Sequence, residues 1–239
     1  MGVIPARYAS TRFPGKPIAP ICGRPMIRWV YEQALKAETL DRVLVATDDD
    51  RIAAAVREFG GEVVMTSPGH ACGTDRLAEA ARGLPDAEII VNIQGDEPLI
   101  APESIDLAVA KLKEAAGASM STLIAPCPNE HLNDPNVVKV VVDAEGFALY
   151  FSRSRIPYPR SGETPAWKHI GLYAYYREFL LRLSSMPPTP LEQSESLEQL
   201  RALERGYRIA CAVSPYGSIG VDAPADIEAV EAILKETSR

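Results

Sequence analysis

Apolar positions in the first half of the chain fall into short continuous runs that alternate with helical spacings. Val3-Ile4 opens as a brief strand, and Ile27, Val30, Tyr31, Ala34 and Leu35 follow at the three-and-four spacing of a helix, with Pro25 suited to its first position. Arg42–Thr47 reads as a buried strand; Asp48 is placed to cap a helix over Asp49–Phe59, which Gly60-Gly61 ends. Glu62–Met65 is a second short strand, and a loop over Thr66–Gly73 leads into a helix from Thr74 to Arg82. Ile89–Ile93 has the unbroken apolar character of a strand buried on both faces; it ends in Gln94-Gly95-Asp96-Glu97-Pro98, before a helix expected over Pro102–Ala116. This alternation predicts a parallel sheet with helices on both faces. Ligands in such sheets collect beyond the carboxyl ends of the strands.

The second half has a different rhythm. Met120–Ala125, Val137–Asp143, Ala148–Ser152 and Lys168–Tyr176 read as strands, with Ala144-Glu145-Gly146 turning one into the next. Arg153–Trp167 is a Pro- and Gly-containing loop, and a helix is expected near Arg177–Leu183. Leu191, Leu197, Leu200 and Leu203 stripe one further helix to Arg205, Tyr207–Val213 is a strand, and Asp222 precedes a final helix starting at Ala223-Pro224. The expected fold is α/β, one domain over residues 1–239 built on a mostly parallel mixed sheet. Residues 1–118 form its first half, 119–206 a smaller β-rich insertion, and 207–239 return to the main sheet with Asp222 and the last helix.

Composition narrows the class. With 46% apolar and 24% charged residues, the chain is an ordinary soluble protein able to bury a large core. A formal net charge of -7 argues against a general nucleic-acid or membrane-surface binder, and no apolar run approaches the roughly 20 residues that span a bilayer. The four cysteines lie far apart without a C-x-x-C pair, which fits reduced thiols in a cytoplasmic protein. The N-terminus enters a loop-bearing motif at once, so no secretory leader is expected.

Local charge changes the picture more. No Asp or Glu precedes Glu32, while Arg7, Arg12, Lys16, Arg24 and Arg28 all do. Such a concentration of cations after a strand, with Gly15 to admit backbone N–H groups and prolines to stiffen the loop, suggests a polyanion site. Solvated surface cations are the alternative. Neither a P-loop, nor a G-x-G-x-x-G after the first strand, nor a G-x-S-x-G elbow occurs. Two acids stand at suitable places: Asp96 after a buried strand, and Asp222 ahead of a helix. A pair of aspartates with phosphate oxygens and water is a common Mg²⁺ arrangement. Singly, Asp96 also reads as a turn former and Asp222 as an N-cap. His169 and Tyr173, four apart on a strand, point to one face, though a lone histidine is more often structural. Glu198 and Gln199 fall on the leucine-striped helix, whose default is a solvated face.

The segment Pro5-Ala-Arg-Tyr-Ala-Ser-Thr-Arg-Phe-Pro-Gly-Lys-Pro17 resembles the opening loop of nucleotidylyltransferases that activate acidic sugars. Gly73-Thr-Asp-Arg76, Val91-Asn-Ile-Gln-Gly-Asp-Glu-Pro98, Ala148-Leu-Tyr-Phe-Ser-Arg153, His169-Ile-Gly-Leu-Tyr173, Leu197-Glu-Gln-Leu-Arg201 and Gly220-Val-Asp-Ala-Pro224 resemble, in order, the motifs of the 3-deoxy-manno-octulosonate (Kdo) cytidylyltransferase family. The departures are small, such as Thr-Asp-Arg where many members have Thr-Glu-Arg. The resemblance implies a Rossmann-like nucleotidyltransferase domain with a β-rich sugar-binding and dimerisation subdomain. It implies a cytoplasmic, Mg²⁺-dependent homodimer that joins CTP and Kdo into CMP-Kdo and pyrophosphate for lipopolysaccharide assembly. It further implies catalytic roles for Lys16, Asp96 and Asp222, the two aspartates holding the metal. Nucleotide contacts would come from Ala6, Arg7, Arg12, Lys16, Thr66, Ser67, Ala71, Cys72, Gly73, Arg76 and Gln94. The sugar pocket would comprise Gln94, Arg153, His169, Tyr173, Glu198 and Gln199. A sister enzyme for another acidic keto-sugar such as a sialic acid, and a silent sugar-nucleotide binder, are the alternatives.

Overall fold

The computed structural model describes residues 1–9, 13–70, 72–162, 165–217 and 219–237. They divide into two compact units, residues 1–106 with 216–239 and residues 107–215. These boundaries stand beside the expected ones at 118/119 and 206/207.

The first unit begins with β1 (Gly2–Ala6), a small hairpin of β2 (Pro20–Ile21) and β3 (Arg24–Pro25), and α1 (Met26–Ala34). There follow β4 (Val43–Thr47), α2 (Asp50–Glu58), β5 (Val63–Met65), α3 (Gly73–Arg82), β6 (Ile89–Asn92) and α4 (Pro102–Glu114), inside which the boundary falls. The strands pair in parallel in the order β5-β4-β1-β6. Their apolar runs fill the centre: Val3, Ile4, Val45, Ala46, Ile90 and Val91 have no exposed surface. The chain steps from β1 outward through β4 and β5, then returns to the other side of β1 for β6. That reversal leaves a crevice at the carboxyl ends of β1 and β6, the place where open α/β sheets hold ligands.

One expected cap shifts by tertiary contact. Asp49, not Asp48, caps α2, its carboxylate accepting from the Arg51 N–H at 2.9 Å. Asp48 is drawn instead to Arg76, 3.1 Å away.

In the second unit β7 (Ala118–Pro126) lies at the centre of a mixed arrangement. β8 (Lys139–Val142) and β9 (Ala148–Ser152) form the expected hairpin through Gly146, whose φ of 84° suits a residue without Cβ. β10 (Trp167–Tyr176) is antiparallel to both β7 and β8. After α5 (Arg177–Ser185), the leucine stripe makes two short helices, α6 (Pro190–Glu195) and α7 (Leu200–Glu204), rather than one. Ser196, left-handed at φ 52°, ends the first. β11 (Arg208–Val213) then pairs in parallel with β7.

Arg201 on α7 donates to Glu192 on α6 (Nε to Oε2, 2.8 Å), and both residues are 7% exposed. Glu192 also takes the Thr189 N–H at 3.1 Å, so one carboxylate ties a helix start to its neighbour. Glu192→Ala would leave a buried guanidinium uncompensated and is expected to cost about 3–5 kcal/mol of stability, measured by urea unfolding of the second unit's tyrosine and tryptophan signals.

The chain ends in α8 (Asp226–Thr237), back in the first unit. The helix begins at Asp226 rather than at Ala223, and the Asp226 carboxylate accepts the N–H groups of Asp222 and Ala223 at 2.8 Å. Asp222 is therefore not its cap. Among the described residues no helix is long and apolar enough to cross a membrane.

Candidate active site

A cavity of about 430 Å³ opens at the carboxyl ends of β1 and β6, within the first unit. Ala6, Arg7, Lys16, Gly73, Gln94 and Asp96 line it. Backbone geometry explains how the two strand-end loops come so close. A Cβ on Gly95 would sit 3.2 Å from the Pro5 carbonyl oxygen, so a side chain there would push the loops apart. On the other side, the Gly15 N–H donates to the Tyr8 carbonyl at 2.9 Å, closing the cationic loop so that Lys16 follows at its base. Gly15 has φ 72°, and the Tyr8 ring lies against it with Arg51 stacked on the ring, 3.2 Å from the centroid.

Asp222 reaches this place through its neighbour. Val221 is fully buried with Ile21, Met26 and Val230, and its N–H donates to the Asp96 carbonyl at 2.9 Å. The Val221 carbonyl accepts from Lys16 Nζ at 2.9 Å. The same ammonium lies 2.7 Å from Asp96 Oδ2 and 3.9 Å from Asp222 Oδ1. Two carboxylates more than a hundred residues apart thus converge on one cation. Asp222 is 64% exposed, Asp96 34% and Lys16 16%, so the negative pair faces solvent and the ammonium lies beneath it. All the donors are carboxylate oxygens, a hard set that suits Mg²⁺. Among the described residues no third His, Cys, Asp or Glu completes a cage, which leaves room for substrate oxygens and water. The residues present fit a divalent ion.

The remaining nucleotide-side candidates spread outward from the cavity. Arg76 has no exposed surface and does not line it. Its guanidinium donates to the Thr66 hydroxyl and pairs with Asp48, and burial lowers its pKa from the ordinary value against the pull of Asp48. Arg7 is near enough to repel it. Arg76 is thus a supporting charge behind Thr66. Ser67 donates its N–H to Glu79 at 3.0 Å, and Cys72 immediately precedes α3. Arg24 and Arg28, part of the N-terminal cation excess, are both taken up by Glu32. Arg12 and Ala71 lie outside the described residues.

The sugar-side candidates other than Gln94 belong to the second unit. His169 and Tyr173 do share a face, and their ring centroids are 5.3 Å apart, with Phe151 edge-on to His169 at 5.1 Å. Along a regular strand the two residues would be about 13 Å apart. A register shift in β10 between Ile170 and Tyr173 explains the difference: His169 pairs with Ile124 and Tyr173 with Thr122, so two residues are looped out without changing face. Burial raises the Tyr173 pKa well above its usual value, with Tyr175 and Glu198 adding to it. Gln199 is 5% exposed, and its Nε2 meets no hydrogen-bond partner among the described residues. Glu198 and Gln199 sit in the turn between α6 and α7, not on a solvated helix face.

Arg153 is held more firmly than a bare carboxylate reader. Its Nε donates to the Glu195 carbonyl at 2.7 Å, Nη1 to Pro135 at 2.9 Å and Nη2 to Ser196 at 3.4 Å. The Arg153 N–H meets the Glu195 carboxylate at 2.9 Å, which also accepts from Ser152 at 2.6 Å. Lys139, fully buried on β8, donates to the carbonyls of Asp134 at 2.8 Å and Arg153 at 2.6 Å. The sequence offered no sign of these roles for Lys139 or Glu195, and it read Asp48 only as a helix cap.

Residues 1–209 match the family described as Cytidylyltransferase. A 3-deoxy-manno-octulosonate cytidylyltransferase of Syntrophotalea carbinolica is 54% identical over 98% of this chain and 97% of its own. One from Myxococcus xanthus is 53% identical over 98% and 96%. A solved structure of CMP:2-keto-3-deoxy-manno-octonic acid synthetase complexed with CTP superposes with a TM-score of 0.94 at 43% identity, covering 99% of this chain and 98% of that one. With its mostly parallel α/β sheet, a carboxyl-end cavity lined by Arg7, Lys16 and Asp96, and Asp222 beside Lys16, the chain belongs to the 3-deoxy-manno-octulosonate cytidylyltransferase family.

Proposed function

We propose that the protein transfers the cytidylyl group of CTP to Kdo, giving CMP-Kdo and pyrophosphate, with Mg²⁺ held by Asp96 and Asp222. The observation that carries this reading is the convergence of both carboxylates on Lys16, which lines the cavity. Both substrates are anionic, and cytidylyl transfer is chiefly a matter of positioning them and neutralising charge. Mg²⁺ would supply Lewis acidity, lowering the pKa of the attacking 2-hydroxyl and balancing charge on the α-phosphate. Lys16 donates towards phosphate oxygens as negative charge grows there, while Arg7, with Arg12, holds the departing pyrophosphate. Gly73 and Gln94 line the same cavity, and in this reading they contact the base and the sugar. Arg76 works from behind, fixing Thr66 and adding positive field.

On the sugar side, Arg153 offers the Kdo carboxylate the N–H groups that its backbone carbonyls do not use, since a guanidinium has five. Arg153→Ala is expected to raise the KM for Kdo about tenfold or more and that for CTP far less. Equal rises would remove Arg153 from sugar recognition. The reading includes a homodimer and a cytoplasmic setting, the latter supported by four free cysteines.

The test is pyrophosphate release from purified protein mixed with CTP, Mg²⁺ and Kdo. Release with Kdo and not with a sialic acid is expected. Release only with another acidic keto-sugar points to a sister activity, and nucleotide binding without release to a silent binder.

A further inference from the structure

Thr122, on β7, has no exposed surface. Its hydroxyl oxygen lies 2.9 Å from His169 Nε2, 3.1 Å from the Ile170 carbonyl oxygen and 2.9 Å from that of Leu172. The two carbonyls converge there because β10 loops out Gly171 and Leu172 beside it. A hydroxyl has one proton to give and lone pairs to accept with, whereas a carbonyl only accepts. Were the Thr122 proton aimed at His169, two carbonyl oxygens would face the hydroxyl oxygen with no proton between them. In a buried site that repulsion is costly. Donation to one carbonyl relieves part of it and leaves the hydroxyl lone pairs for an N–H. The contact with His169 is then made by the ring's own proton, which resides on Nε2.

The imidazole is neutral, since burial pushes its pKa down to about 3. A neutral ring protonated on Nε2 has an unprotonated Nδ1, which accepts and cannot donate. As a residue His169 is half-buried rather than sealed in the core.

We infer that Thr122 is a positioning residue that locks His169 as the Nε2–H tautomer, so that the sugar group docking on His169 must be a hydroxyl donor and not the carboxylate. The inference rests on the proposed sugar site and adds which part of the sugar each side chain reads. The hydroxylated portion goes to His169 and the carboxylate to Arg153. Specificity follows, because a bare acceptor left facing a deoxygenated analogue loses its partner.

The direct test is the ¹⁵N spectrum of the three histidines at neutral pH in the free protein, His169 being assigned by its loss in His169→Gln. The expected pattern is a protonated Nε2 and a bare Nδ1. Thr122→Val should weaken that preference and raise the KM for Kdo by about tenfold, leaving the KM for CTP within about twofold, as loss of one oriented hydrogen bond predicts. Thr122→Ser should restore both. A proton on Nδ1 in the wild-type protein overturns the inference, as do equal rises in both KM values. Should Thr122→Val fail to fold, the wild-type spectrum decides alone. That spectrum needs no turnover, so inactivity with Kdo would refute the proposed function without touching the tautomer.

Discussion

Asp96→Asn is expected to lower kcat by roughly a thousandfold, about 4 kcal/mol at the transition state, with little change in the unfolding midpoint. Asn is nearly isosteric with Asp and keeps one oxygen, so the turn and its backbone bond from Val221 N–H survive. What disappears is one negative charge of the pair around Lys16, and with it half of the protein's anionic hold on a divalent ion. The 34% exposure of the Asp96 side chain means that no large desolvation change accompanies the swap, so stability should move by well under 1 kcal/mol. Steady-state pyrophosphate release together with thermal unfolding checks both halves. A near-normal rate would exclude Asp96 from the chemistry.

The second large effect is expected at Lys16. Lys16→Met removes the ammonium that Asp96, Asp222 and the Val221 carbonyl share, yet keeps most of the side chain's length. Two consequences should separate. Loss of a donor from the reacting phosphate lowers kcat by about a hundredfold or more. Loss of the resident counter-cation leaves the carboxylates facing each other unbalanced, so Mn²⁺ should bind the nucleotide-free variant more tightly than the wild type. Lys16→Arg is not expected to rescue turnover, because a planar fork cannot occupy the place of a compact ammonium. Titration of Mn²⁺ by electron paramagnetic resonance, beside the rate assay, reads both. Unchanged metal affinity in Lys16→Met would mean that the ammonium does not compete for the carboxylates.

Much of the first unit was legible because its strands are buried on both faces and so carry unbroken apolar runs, as Val43–Thr47 and Ile89–Asn92 do. The cationic loop was legible because charge is so uneven along the sequence. Misreadings arose where a partner distant in sequence decides between equal local choices. Asp48 and Asp49 are adjacent and identical, and only Arg76 on α3 draws the first away from the helix start. Arg76 itself, expected as a nucleotide contact, is fully buried and does not line the cavity.

The leucine stripe misled for another reason. Thr189-Pro-Leu-Glu192 is a capping box with proline at the first turn, a signal that one short helix starts there. Nothing as clear announced the break at Ser196. The face shared by His169 and Tyr173 came out as expected because the bulge loops out an even number of residues. Their closeness did not, and neither did Thr122, since a threonine inside an apolar strand reads only as a good β-former.

The most direct measurement is diffraction from crystals grown with CTP, Kdo and Mn²⁺, using the anomalous signal to place the ion. Manganese is expected to be ligated at once by an oxygen of Asp96, an oxygen of Asp222 and an oxygen of the α-phosphate, with Lys16 turned from the carboxylates to phosphate. An ion held by the phosphates alone, with Asp222 facing solvent and Lys16 still on Asp96, would contradict that expectation.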